Sequence, residues 1–134
     1  MKRKGNAGFT LLEIIVVIII ISVLASLALP RFFKTVEYSR SAEALANLST
    51  IRQSVERCYL AKGNSALNCG AFASIDVADP GLTPNALFGY GINAAADDWT
   101  ITATRNGTQG GDGASQITIN RAGTRQGTGV FGGI

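Results

Sequence analysis

From Phe9 to Leu29 the chain is apolar or small at nearly every position, and Glu13 is the one charge among those 21 residues. The run has no polar face, so it reads as a helix surrounded by apolar matter on all sides. At 1.5 Å per residue it extends about 31 Å, enough to cross a hydrocarbon core. After Pro30 the pattern changes. Phe33, Val36, Leu45, Leu48, Ile51, Val55, Cys58 and Tyr59 recur mostly at steps of three and four, with Glu37, Arg40, Glu43, Arg52, Glu56 and Lys62 between them. That periodicity predicts an amphipathic continuation over 31–62, stopped at Lys62-Gly63-Asn64. Glu37 with Arg40, and Arg52 with Glu56, are spaced to pair along its surface. Pro30 lacks an N–H and crowds the preceding turn, which predicts a kink or local melting between Ser26 and Pro30. The plainer alternative is that Pro30 ends one helix and a second follows.

The remaining pattern is different in kind. Residues 63–134 hold 14 of the 16 glycines. Pro80-Gly81 and Thr83-Pro84 mark turns in a loop-rich stretch over 63–97. Leu87–Ile92 is a weak strand candidate, since Gly89 and Gly91 interrupt it. Trp99–Thr104 and Gln116–Asn120 alternate as strands do, and Gly127–Ile134 is expected to be a frayed last strand. The predicted fold is α+β. A long kinked N-terminal helix, membrane-spanning in its first half and amphipathic in its second, packs on a small antiparallel sheet within 98–134. Trp99, Ile101, Ala103, Ile117 and Ile119 form the sheet's apolar face, which covers the half-helix.

Charge adds direction. Of 12 basic and 9 acidic residues, Lys2, Arg3 and Lys4 account for the whole net charge of +3. Basic residues ahead of a span hold that end in the cytoplasm and send the rest outward. A conventional secretory signal would have a shorter apolar core and no carboxylate near its start. Cys58 and Cys69 then lie in an oxidising compartment and are expected to form a disulfide, worth about 3 kcal/mol for a loop of this size. With no His in the chain, two cysteines complete neither a zinc shell nor a nucleophile–base pair. No metal, cofactor or catalytic site is expected, and the chain does not read as an enzyme. Arg105, Arg121 and Arg125 give at most a small basic face for nucleic acid, and ordinary solvation accounts for them better. Asn47-Leu-Ser49 and Asn106-Gly-Thr108 are formal glycosylation sequons, read as chance.

Gly8-Phe9-Thr10-Leu11-Leu12-Glu13, behind a basic leader and ahead of the apolar run, resembles the start of a type IV prepilin or of a type II secretion pseudopilin. The resemblance is specific over residues 1–35, generic over 36–62 and architectural over 63–134. It implies cleavage between Gly8 and Phe9 by a prepilin peptidase/methyltransferase, removing the 1–8 leader, and N-methylation of Phe9. It implies that Glu13 pairs with the Phe9 amine of a neighbouring subunit, and that Pro30 kinks the helix. Asp97, Asp98 and Asp112 invite comparison with calcium loops of some secretion pseudopilins, although solvated carboxylates are the better reading.

Residues 9–30 are thus expected to form the membrane and filament-core helix, and 31–134 a globular head. The expected function is that of a filament subunit. It waits in the inner membrane, is processed, and is assembled on a membrane platform into a helical homopolymer serving adhesion, twitching motility or DNA uptake. A secretion pseudopilin is the alternative, although the Asp-Pro-Trp-Gly type of segment expected of its major form is missing. A single-span anchor carrying a binding domain is the alternative of another class. It leaves Glu13 and the Gly8–Phe9 junction unexplained.

Overall fold

One α-helix, α1, runs Leu11–Ala61 with Pro30 inside it. The computed structural model describes residues 8–134; Lys2, Arg3 and Lys4 of the expected leader fall outside them. The alternative in which Pro30 ends the helix is not what forms. The missing N–H at Pro30 removes one ladder bond to Ser26, whose hydroxyl donates to the Val23 carbonyl at 2.8 Å. At the C-terminal end Gly63 takes a left-handed φ of 70°. The amide of Asn64 then donates back to Tyr59 at 3.0 Å and that of Gly63 to Leu60 at 3.4 Å. These paired bonds satisfy the last carbonyls and stop the helix where Lys62-Gly63-Asn64 predicts.

The chain divides into two compact units, the first ending at Thr35 and the second spanning Val36–Ile134. Partial burial of helix side chains begins at Val36, five residues past the boundary expected from the sequence. Phe33 is accordingly not part of the amphipathic face; it is 61% exposed. In the second unit the buried helix positions include Ser41, Ala44, Leu48, Ile51, Val55 and Cys58. Their alternating steps of three and four keep one stripe facing the core. Ala44 is fully buried where Leu45 is only partly so, because the small side chain lets the helix approach its cover.

That cover is a four-stranded antiparallel meander of β1 (Phe88–Ala94), β2 (Trp99–Arg105), β3 (Gln116–Asn120) and β4 (Arg125–Gly127), in sequence order. Ile101 opposes Ile119 and Ala103 opposes Ile117, so the predicted apolar face is buried residue for residue. Tyr59 packs on Trp99 with ring centroids 5.3 Å apart. Two boundaries differ from the sequence reading. The sheet begins at Phe88, inside the stretch read as loop, because Phe88 is fully buried and its strand pairs with β2 along seven positions, despite Gly89 and Gly91. The expected last strand over 127–134 is not one. β4 ends at Gly127, and Gly129–Phe131 is a 3-10 turn that plugs Phe131 against Phe88 at 5.8 Å. Cys58 and Cys69 are bonded to each other as expected, tying the 64–69 loop to the last helical turns.

The larger surprise is Arg105, which is fully buried. Its Nε donates to Glu37 Oε2 at 2.9 Å, and its other nitrogens reach the carbonyls of Leu87, Asn106, Thr108 and Gln109. Gly111 is obligatory at this knot: a Cβ there would lie 2.7 Å from the guanidinium carbon. Glu37 also accepts from Arg40 Nη1 at 2.6 Å, the pair predicted along the helix. Arg52 and Glu56 make no such pair among the described residues. Arg52 instead donates twice to the Arg121 carbonyl, at 3.1 and 3.0 Å.

These contacts set the acid limit of the fold. The Arg105 hydrogen bond, helped by Arg40, holds the Glu37 carboxyl below its usual value. Ser115, through its hydroxyl and amide, and the Ala114 amide bring Asp112 down to about 2. Arg57, as a two-bond partner, and Ser54 do the same for Asp76. Carboxylates with lowered folded pKa stabilise above their unfolded value, and that contribution is lost as pH falls through the folded one. Asp76 leaves over half its side chain in solvent, so its pair with Arg57 adds little. Thermal melts of a soluble Val36–Ile134 fragment should therefore hold their midpoint from pH 7 to about pH 5 and fall between the ordinary 3.8 of Asp112 and about 2. A midpoint constant down to pH 2 would contradict this. Arg105→Ala leaves Glu37 without its buried partner and should cost about 3–5 kcal/mol in urea unfolding.

Candidate functional site

The N-terminal unit is the candidate site because its apolar surface is left uncovered among the described residues. Its most apolar 18-residue window has a mean hydropathy of 3.0 and buries none of its residues. Every large apolar side chain there, from Phe9 through Leu29 to Phe33, stands exposed. In water such a surface is costly at about 25 cal/mol per Å². The segment is therefore built for another apolar environment, lipid or copies of itself.

Thr10 sets where the helix starts. Its Oγ1 accepts the Glu13 amide at 3.2 Å, satisfying one of the orphan donors of the first turn. Thr10-x-x-Glu13 is thus a capping-box spacing, a signal in the sequence that the expected site residues do not include. It fixes Glu13 in the first turn, where a carboxylate favours the positive end of the helix dipole. Gly8 and Phe9 precede the helix outside any regular element, and Phe9 is 80% exposed. Gly8, Phe9 and Glu13 therefore lie together at an open helix start. Among the described residues Glu13 makes no ion pair.

The other sequence candidates fall elsewhere. Arg105 belongs to the interior, and the Arg121 guanidinium lies over Tyr59 and Trp99 at 4.3 and 4.9 Å from their centroids. The small basic face for nucleic acid is therefore reduced to Arg125 and the edge of Arg121. Asp97, Asp98 and Asp112 do not gather: among the described residues no three His, Cys, Asp or Glu side chains could hold a metal ion. Asp112 is engaged by Ala114 and Ser115, and Asp98 accepts the Trp99 amide. Both sequon asparagines are occupied, Asn47 donating to the Tyr90 hydroxyl and Asn106 to the Ala86 carbonyl.

Residues 3–29 match the prokaryotic N-terminal methylation motif. The chain is 32% identical to fimbrial protein EcpC of Eikenella corrodens over 124 residues, 92% of this chain and 78% of that one. It is 32% identical to the type IV major pilin protein PilA of Myxococcus xanthus over 98 residues, which covers 72% of this chain and only 41% of that protein's length. A shorter match, 32% over 56 residues, joins it to the type II secretion system core protein G of Aeromonas hydrophila. Among solved structures the non-core minor pilin PilV of Neisseria meningitidis is similar over 68% of this chain and 85% of that one, at 25% identity and a TM-score of 0.49. With the methylation motif at its start and a fimbrial relative along nearly its whole length, the chain belongs to the type IV pilin family.

Proposed function

We propose that this protein is a structural, non-enzymatic subunit of a type IV pilus-like filament. The observation that carries the reading is the uncovered apolar helix with Glu13 in its first turn, in register with the Gly8–Phe9 junction. In the monomer the helix rests in the inner membrane with its N-terminus cytoplasmic, held there by Lys2, Arg3 and Lys4. A prepilin peptidase/methyltransferase cuts after Gly8 and methylates Phe9. An inner-membrane platform then lifts the subunit into a head-to-tail array, a contact that repeats without closing.

In that array the helices pack against one another and lipid is lost. Glu13 then has neither water nor headgroups, and a buried unpaired charge costs about 3–5 kcal/mol. The new α-amine at Phe9 of a neighbour is the opposite charge that the processing step creates. Pro30, short of one ladder bond, is the position at which the core helix can bend. The secretion-pseudopilin reading draws on the match to core protein G. That match covers 42% of this chain, against 92% for the fimbrial relative, and the pilus reading is preferred.

Mass spectrometry of the assembled protein should show a chain beginning at Phe9 and one methyl group heavier than its sequence. An N-terminus at Met1, or one near Ala28–Pro30, would refute the processing scheme. With Glu13→Ala or Glu13→Val as the sole copy, the protein should still reach the membrane while sheared filament falls sharply. Val should do no better than Ala, since hydrophobicity is not what limits assembly. Normal filament yield from both would remove Glu13 from the interface.

A further inference from the structure

The chain carries a second unsatisfied segment, immediately beyond the membrane-grade run. Arg31 and Lys34 are exposed and flank Phe32 and Phe33, which are 63% and 61% exposed. No acidic residue occurs from Ile14 to Val36, and among the described residues neither base makes an ion pair. In the bilayer this basic–aromatic turn suits the headgroup level, where long cationic side chains reach phosphates and aromatic rings sit at the interface. Assembly removes those phosphates. Copies brought together side by side would then place like charges near one another unless each meets an acid from its neighbour.

One face of the head offers both matching chemistries. Glu43, exposed on α1, lies one turn before Asn47, whose amide donates to the Tyr90 hydroxyl at 2.8 Å. The Asp79–Leu82 turn sits beside the same strand: a Cβ on Gly81 would come within 3.2 Å of Gly89 Cα and the Phe88 carbonyl. Glu43 and Asp79 thus flank Tyr90, and Leu82 beside them is 82% exposed. Neither carboxylate makes an ion pair among the described residues. Burial first, and then the smaller contributions of the Glu43 and Asp79 charges, push the Tyr90 phenol up against the pull of the Asn47 bond. Asp112 is held by the Ala114 and Ser115 amides, and two further surface acids lie among bases. Glu56 shares a groove with Arg52 and Arg57, and Asp98 shares a cleft with Arg52 and Arg121.

We propose that the Arg31-Phe32-Phe33-Lys34 turn of one subunit docks on the Glu43–Asp79–Leu82 face of a second copy. Cations meet carboxylates there, and Phe32 or Phe33 covers Leu82. The contact rests on the filament reading above and adds a second charge pairing to that of Glu13, at the base of the heads instead of in the core. Like charges across such a contact disfavour the complex, whereas a joint reversal restores the match.

The test is filament yield in the shear fraction, each variant being the sole copy, with membrane-bound subunit measured alongside. Arg31→Glu with Lys34→Glu should lower filament at least about tenfold, and so should Glu43→Arg with Asp79→Asn. The asparagine keeps the acceptor that caps Gly81. The four changes combined should bring filament back to within about threefold of the parent. Glu43→Arg should leave the melting midpoint of the Val36–Ile134 fragment unchanged, which excludes a folding defect. Parent-level filament from the Glu43/Asp79 variant, or a combined variant as poor as its halves, overturns the docking while leaving the filament reading intact. No filament from the unaltered chain in an assembling host overturns the filament reading, and this proposal with it.

Discussion

One helix has to satisfy two surroundings, and the rest of the molecule follows from how it does so. Up to Leu29 it offers no polar face, so it is comfortable only in lipid or among its own copies. From Val36 onward it offers a single stripe, Ser41 to Tyr59, and needs a sheet to cover that stripe. The two halves divide the energetics. The second half gives a head whose buried core lies within Val36–Ile134. The first contributes nothing to that core and is left free for association. A subunit stored in a membrane and later polymerised needs this separation, because its folding must not depend on which apolar medium surrounds the helix.

The head in turn depends on charge placed where solvent does not reach. Arg105 gathers four backbone carbonyls of the loops around it and pairs with Glu37 near the start of the covered half-helix. A buried pair of this kind is a weak source of net stability, but losing one partner is costly. Its value is in position: it fixes the β2–β3 loop against the helix at one end of the sheet. At the other end the Cys58–Cys69 bond and the Tyr59–Trp99–Arg121 stack do the same. The loops between, including the Asp79–Leu82 turn, are thereby presented on a rigid base.

Much of this was legible because it is periodic or local. The apolar run, the three-and-four stripe, the Gly63 stop and the alternating strands at Trp99 and Gln116 all follow from side-chain spacing. The disulfide follows from two cysteines beyond the apolar run, on the side expected to be exported. What the sequence hid was set by tertiary contact. Nothing local shows that Arg105, rather than Arg121 or Arg125, goes inside. That depends on Glu37, 68 residues away. β1 was obscured by its two glycines, and the C-terminal segment looked like a strand until Phe131 was seen to fill a gap beside Phe88. At the candidate site the motif singles out the Gly8–Phe9 junction and Glu13 as candidates. The Thr10 cap was equally present in the spacing and was missed because the apolar run dominates that stretch.

Assembly as proposed here turns on one contact, between the Glu13 carboxylate and the Phe9 amine of another subunit. Mixed labelling tests it directly. Filaments grown from equal parts of subunit labelled with nitrogen-15 and subunit labelled with carbon-13 contain that isotope pair only across an interface. Solid-state NMR dipolar recoupling should then show a cross-peak between the Phe9 amine nitrogen and the Glu13 side-chain carboxyl carbon, at the separation of roughly 3–4 Å typical of a charge-assisted contact. A Glu13 carboxyl signal with no such cross-peak, in filaments whose helix–helix cross-peaks are otherwise strong, would contradict the account.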